Sequence, residues 1–214
     1  MNLIIFGAPG AGKGTQAKIL SNKFGIAHIS TGDILREAIA NETEVGKKAK
    51  AIVNSGQLVP DDVMCEIIKD VLKSDRCKNG FILDGFPRTI KQAELLLNIF
   101  EELNISGTKL IKLTINDETV IKRLTSRRTC SNCGYIVNLL ALDNQDKCPN
   151  CNQENTLEKR KDDNEDVIKN RLAIYRESTA PVFDFLKNKI EIIAVDGSRE
   201  VEEVTSDILN FLQD

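Results

Sequence analysis

The run Gly7-Ala8-Pro9-Gly10-Ala11-Gly12-Lys13-Gly14-Thr15 is built to hold a polyphosphate. Glycines let the backbone curl into positive φ and turn several N–H groups toward one anion. Lys13 adds a full charge with the reach to touch terminal phosphates, and Thr15 offers a hydroxyl for Mg²⁺ or a phosphate oxygen. Gly7, Gly12 and Lys13 keep the Walker A spacing, but Gly14 follows the lysine and the hydroxyl arrives one place later.

Arginine usage points to the same chemistry. The chain has ten arginines against nineteen lysines, so its ordinary surface is built with lysine. Arg36, Arg88, Arg123, Arg127, Arg160 and Arg171 nevertheless fall on segments expected to converge on the loop. Arginine grips phosphate through two N–H groups and stays charged when partly buried. Six arginines and Lys13 exceed what one triphosphate needs, which a second anionic substrate explains. A phosphate acceptor is already ionised and needs no general base. The only histidine, His28, is read as a structural residue of its strand. Catalysis then rests on positioning and on neutralising the charge of the transferred group, with Mg²⁺.

Cys130-x-x-Cys133 and Cys148-x-x-Cys151, separated by fourteen residues, have the spacing of a tetrahedral Cys₄ zinc site. With all four positions filled by protein, such a metal is structural. Cys65 and Cys77 receive no function.

These residues need a scaffold. Leu3 to Phe6 reads as a buried strand, and Gln16 to Phe24 as a helix with Ala17, Leu20 and Phe24 on one face. Ala27 to Ile29 is a second strand, closed by Ser30 and Asp33 at capping-box spacing. Helices follow through Ile39 and over Thr43 to Asn54, a flap-like pair. Pro60 opens a helix with Val63, Ile67 and Val71 toward the core, and Ile68 and Leu72 as further candidates. Phe81 to Asp84 is a strand ending in an acid. Gly85-Phe86-Pro87-Arg88-Thr89 turns into a helix carrying Gln92. Leu110 to Ile115 is the fourth strand, and the helix from Asp117 is expected to carry Arg123 and Arg127 on one face. Asp162 to Phe185 is helical with a break near Pro181. Ile190 to Val195 is the fifth strand, and Val201 to Leu212 the closing helix. Apolar strands alternating with helices predict an α/β fold with a five-stranded parallel sheet. Ligands then lie past the carboxyl ends of the strands, where the loop, Ser30-Thr31, Asp84 and Asp196 fall. The expected division is a core of residues 1–29, 60–126 and 161–214, a helical flap 30–59 and a cysteine-bearing segment 127–160.

At 214 residues, with 29% charged and 41% apolar residues, the composition is that of a globular protein. A net charge of −3 argues against a general nucleic-acid or membrane-surface binder. The absence of long apolar runs and the use of cysteine favour the cytoplasm.

Taken together, the motifs resemble adenylate kinase, a nucleoside monophosphate kinase family, over essentially the whole chain, in its long form with a zinc-bearing lid. The resemblance implies a P-loop NTPase-type fold and the reaction ATP + AMP ⇌ 2 ADP by a monomer. It makes residues 30–59 a monophosphate-binding flap and residues 127–160 a zinc-binding lid. It places ATP on Gly10, Ala11, Gly12, Lys13, Gly14 and Thr15, on Arg123 and Arg127, on the backbone of Ile136 and Val137, and at Arg199. It places AMP on Thr31, Arg36, Gln57, Leu58, Val59, Gly85, Phe86, Pro87, Arg88 and Gln92, the last reading the adenine edge. Lys13, Arg88, Arg123, Arg160 and Arg171 surround the transferring phosphates, with Arg160 and Arg171 also on the AMP side. Asp84, with Thr15, is associated with hydrated Mg²⁺. The lid departs in detail: after Cys133 the chain reads Gly134-Tyr135-Ile136-Val137-Asn138, without the family's usual Tyr-His pair. Competing readings are a kinase for another monophosphate or one using GTP, a nucleotide switch, which leaves the second arginine set unexplained, and a zinc-ribbon nucleic-acid-binding ATPase.

Overall fold

A computed structural model describes residues 1–213. The chain runs β1 (Asn2–Gly7), α1 (Lys13–Phe24), β2 (Ala27–Ser30), α2 (Thr31–Ala40), α3 (Glu44–Asn54), α4 (Asp61–Lys73), β3 (Phe81–Asp84), α5 (Ile90–Glu102), β4 (Thr108–Thr114) and α6 (Asp117–Ser126). It continues through β5 (Arg127–Cys130), β6 (Ile136–Asn138), β7 (Leu157–Glu158), α7 (Glu165–Ile174), α8 (Ala180–Leu186), β8 (Glu191–Asp196) and α9 (Val201–Gln213).

The main sheet has five parallel strands in the order β2-β3-β1-β4-β8. Side chains alternate faces along a strand, and both faces here are apolar. Ile4 and Phe6 join Ile29, Phe81, Leu83 and Leu110 in a core shared with α4, α5 and α8. Leu3 and Ile5 join Ile82, Ile111, Leu113 and Val195 under α1 and α9. Each such buried aliphatic contributes about 1.5–3 kcal/mol relative to exposure. The register sets Ser30 and Ile5 level with Asp84, and Thr114 level with Asp196. One rim of the sheet therefore carries the phosphate loop, the start of α2 and two carboxylates.

Details differ from the sequence reading. On α4 the fully buried residues include Met64, Cys65, Ile68 and Leu72, while Val63, Ile67 and Val71 are only partly covered. β4 begins at Thr108 and ends at Thr114. Arg127 is not on the α6 face: the helix ends at Ser126, and Arg127 takes extended backbone to start β5. Thr125 and Ser126 hydroxyls donate to the Ile121 and Lys122 carbonyls at 2.8 and 2.6 Å, a local bond that competes with helix continuation. The break in the long C-terminal helix is a π-turn over Tyr175–Thr179, just ahead of Pro181. Proline cannot donate to the carbonyl four residues back and crowds it, and the wider turn absorbs that.

Residues 127–160 form a second, antiparallel sheet in the order β6-β5-β7. Lys18 of α1 donates to the Gly134 carbonyl at 2.8 Å and ties this lid to the core. The flap, α2 and α3, leans on α7: Asn170 Nδ2 donates to the Ser55 carbonyl at 2.8 Å. No helix among the described residues is long and apolar enough to cross a membrane.

Candidate active site

The loop from β1 to α1 turns through Gly10 at φ 78° and Gly12 at φ 95°, conformations L side chains rarely adopt. Gly12 is the N-cap of α1 and no side chain caps the helix, so its first N–H groups keep their anion-binding character. Lys13 Nζ donates to the Gly7 and Ala8 carbonyls at 2.7 and 2.9 Å. Burial pushes the Lys13 ammonium down to about 7, with Asp84 pulling it up and Arg88 pushing it further down. The extra glycine has a steric reason: a Cβ on Gly14 would lie 3.3 Å from Asp84 Oδ2 and 3.8 Å from Ile136 Cδ1. Asp84, Gly14 in the first turn of α1 and Ile136 of the lid strand β6 thus meet at one point, with Thr15 next to Gly14 in the chain and Val137 next to Ile136. A carboxylate and a hydroxyl beside a phosphate loop are hard oxygen donors that fit Mg²⁺.

A cavity opens beside this loop. Leu35, Val53, Val59 and Met64 give it apolar wall, and Arg36, Arg88 and Arg171 give it positive charge. Thr31, Gln57, Leu58, Gly85 and Gln92 also line it. Gly85 at φ 81° is the hinge of this wall: its carbonyl accepts from Arg88 Nε at 2.7 Å and from Thr31 Oγ1 at 3.0 Å. A Cβ there would fall 2.9 Å from both of those side chains. Phe86 and Pro87 are buried behind the wall rather than lining the cavity. Thr89 caps α5 by accepting from Gln92 N–H at 3.1 Å.

The arginines repel one another and are held by acids. Arg127 grips Asp163 with two bonds of 2.8 and 2.6 Å, and Arg171 reaches Asp162 at 2.8 Å. Asp163 is wholly buried. Burial pushes Arg88 and Arg160 each down to about 10, with Arg171 and Arg127 respectively as the nearest repelling charges. Both stay charged at neutral pH. Burial raises Asp162, but Arg171 and Arg127 outweigh it and hold the carboxyl below its usual range. Burial likewise raises Asp33, which Arg36 at 2.5 Å overrides. Arg160 donates to Thr129 Oγ1 at 2.9 Å. Arg123 spans to the Gly197 and Ser198 carbonyls at 2.6 and 2.9 Å, on the turn after β8. Arg199, on the same turn, is exposed and pairs with Asp207.

Three acids, and the partner of one histidine, escaped the sequence reading. Asp162 and Asp163 follow Arg160 closely, but acidic pairs are common on surfaces. Asp61, which holds Gln92, is remote from it in sequence. His28, read as structural, has a partner the sequence did not name: its Nε2 lies 3.3 Å from Asp84 Oδ2.

In the lid, the four sulfur atoms of Cys130, Cys133, Cys148 and Cys151 lie within 4.8 Å of one another. The pairs Cys130–Cys151 and Cys133–Cys148 are each 3.7 Å apart. A tetrahedral Zn²⁺ with bonds of about 2.3 Å sets its sulfurs about 3.75 Å apart, so the ligand set fits the ion. The two halves are the same turn used twice. Gly134 N–H returns to the Cys130 carbonyl and Asn152 N–H to the Cys148 carbonyl, both at 2.9 Å. Gly134 and Asn152 have φ 67° and 60°, which explains glycine and asparagine after each second cysteine.

The family model described as adenylate kinase matches residues 5–191. An adenylate kinase of Caldicellulosiruptor bescii is 47% identical over 214 residues, 99% of each chain. One of Archaeoglobus fulgidus is 47% identical over 215 residues, 100% of this chain and 98% of the relative. One of Clostridium tetani is 43% identical over 99% of this chain and 98% of its own.

Proposed function

We propose how the work is divided in a chain that belongs to the adenylate kinase family and catalyses ATP + AMP ⇌ 2 ADP. The observation that carries the division is the meeting of two anion sites, the phosphate loop and the arginine-lined cavity, on one rim of the sheet. Gly10 to Thr15 cradle the ATP phosphates, Lys13 leaving its loop carbonyls to reach the transferring group. Thr31, Arg36, Gln57 to Val59, Gly85, Arg88 and Gln92 receive AMP, with Phe86 and Pro87 shaping the turn that presents them. The attacking AMP oxygen is already ionised, so no residue need take a proton. Arg88, Arg123, Arg127, Arg160 and Arg171 neutralise charge as the phosphoryl group moves between oxygens.

Mg²⁺, held near Asp84 and Thr15 with the nucleotide, supplies further charge neutralisation. Asp162 and Asp163 keep Arg127 and Arg171 aimed inward. Ile136 and Val137 of the lid and the turn at Arg199 border the ATP base. Residues 30–59 and 127–160 act as flap and lid on the core of 1–29, 60–126 and 161–213. Zn²⁺ on the four cysteines has a structural role. The unpaired Cys65 and Cys77 suit a reducing compartment, and we place the protein in the cytoplasm as a monomer.

The test is direct. Phosphorus NMR of the protein with ATP, Mg²⁺ and each nucleoside monophosphate in turn should show ADP forming rapidly with AMP. Faster product formation with GMP, UMP or CMP would overturn the assignment of the cavity.

A further inference from the structure

We propose that Asp61 is a positioning residue for base selection, acting by fixing which way the Gln92 amide faces. The proposal rests on the reading that the cavity receives AMP. Gln92 is only 2% exposed and lines that cavity. Its Nε2 donates to Asp61 Oδ1 at 2.8 Å, and its Oε1 accepts from the Arg88 backbone N–H at 2.8 Å. A carboxylate only accepts and a backbone amide only donates. A flipped Gln92 would set acceptor against acceptor at Asp61 and donor against donor at Arg88. The orientation is therefore dictated from both sides.

Asp61 is itself held. Thr89 Oγ1 donates to the same Oδ1 at 3.1 Å, while accepting from Gln92 N–H. Asp61, Thr89 and Gln92 close a ring that joins the first turn of α4 to the first turn of α5. Gln92 keeps one N–H on Nε2 and one lone pair on Oε1 for a ligand. That leaves a donor beside an acceptor with fixed polarity. Adenine offers the complement, the N1 acceptor beside the N6 amino donor. The 6-oxopurines, guanine and hypoxanthine, offer the reverse, N1–H beside O6. A glutamine free to flip would serve both; one pinned by Asp61 and Arg88 serves adenine.

The experiment compares kcat/KM for AMP and for IMP at saturating MgATP in the parent, Asp61→Ala, Gln92→Ala and the double variant. The parent should prefer AMP strongly, since a site built to pair hydrogen bonds rejects the mismatched edge. Asp61→Ala should raise the KM for AMP about tenfold with kcat near the parent value, and cut the AMP:IMP preference about tenfold or more. In the Gln92→Ala background the same substitution should change neither, because Asp61 acts only through that amide. Asp61→Asn keeps the packing but presents an amide that meets Gln92 in either orientation. It should lose preference in smaller measure and serves where alanine costs the fold. A parental AMP:IMP ratio in both Asp61 variants overturns the proposal. So does an equal loss in the Gln92→Ala background, which would mark Asp61 as a helix-end stabiliser. A parent that makes no ADP from AMP refutes the cavity's assignment itself, a result distinct from either.

Discussion

Leu3, Ile4, Ile82 and Leu83, in the strands beneath the phosphate loop, are wholly withdrawn from water, whereas in residues 127–160 only Cys130 and Cys148 are buried and Leu140 stands 64% exposed. The first region is held by apolar area on both faces of a sheet. The second has too little of it to fold by burial, and its four cysteines are placed where a bound zinc ion would supply what the missing core does not. The difference separates a scaffold held by its own core from one that leans on its cysteines. The loop that must place phosphates within tenths of an ångström sits on the part that cannot yield. On the proposed division of work, the part that closes over a nucleotide is the one fastened internally, and among its ties to α1 is the bond from Lys18.

The comparison breaks most sharply at Lys13. Lys13→Met should cut kcat by about 10² to 10³-fold, the cost of losing one preorganised charge donor, while circular dichroism and melting stay close to the parent. Near-full turnover would mean the rigid loop is not where the phosphoryl group moves. Arg88→Ala tests whether the rigid region holds two sites or one. It should weaken AMP binding by about 2 kcal/mol, roughly thirtyfold, with ATP binding far less changed. Equal losses by calorimetry would merge the two anion sites.

The lid is probed by replacing Cys130 and Cys133 with serine. Metal analysis should fall from about one zinc per chain to little. The lid should become the first segment cut by protease, and melting should drop by about 2–4 °C for each kcal/mol lost in a chain of this size. Some phosphotransfer should survive in the cold, since Lys13 and Arg88 are untouched. An unchanged melting temperature would remove the structural role of the metal. Full loss of cold activity in a still-stable variant would place the metal nearer the chemistry than a closed shell allows.

A smaller effect sharpens the rigid side. Burial holds Lys13 at about 7, below its ordinary 10.5, so at pH 8 the free protein carries this group mostly neutral. Bound phosphates restore the charge. ATP binding at pH 8 should therefore take up close to one proton, read from calorimetry in buffers of different ionisation enthalpy, and less at pH 6. Affinity should fall as pH climbs above 7, by up to about tenfold per unit. Folding obeys the opposite sign: the unfolded chain keeps this proton up to about 10.5, so stability gains from this group as pH rises from 7 toward that value. Proton uptake undiminished in Lys13→Met would assign it to another group.

What could be read from the chain alone was local. Gly7 to Thr15 and the two cysteine pairs carry their chemistry within a few residues, and strand alternation followed from Leu3 to Phe6. Arg127 was misplaced because β5 exists only by pairing with β6 and β7, a non-local event that overrides helix spacing. The burial on α4 shifted for the same reason: packing against α5 decides which of two adjacent stripes goes deepest. Asp61 and Asp163 were invisible because they matter through partners, Gln92 and Thr89 for the first and Arg127 and Arg171 for the second, that folding brings to them. His28 looked inert because nothing in its neighbourhood of sequence announces Asp84.

The two carbonyls that hold the Lys13 ammonium, those of Gly7 and Ala8, have a consequence for how nucleotide enters. The lysine sits where it braces its own loop and helps to hold the curl through Gly10 and Gly12. Fixing backbone costs about 1–2 kcal/mol of entropy per residue, and this loop meets that cost during folding. If ATP binds here as proposed, the arriving triphosphate has only to turn one side chain, at a cost of about 2 kcal/mol or less. On the proposed reading, affinity for phosphate is then not drained by shaping the five-residue loop 8–12 at every turnover.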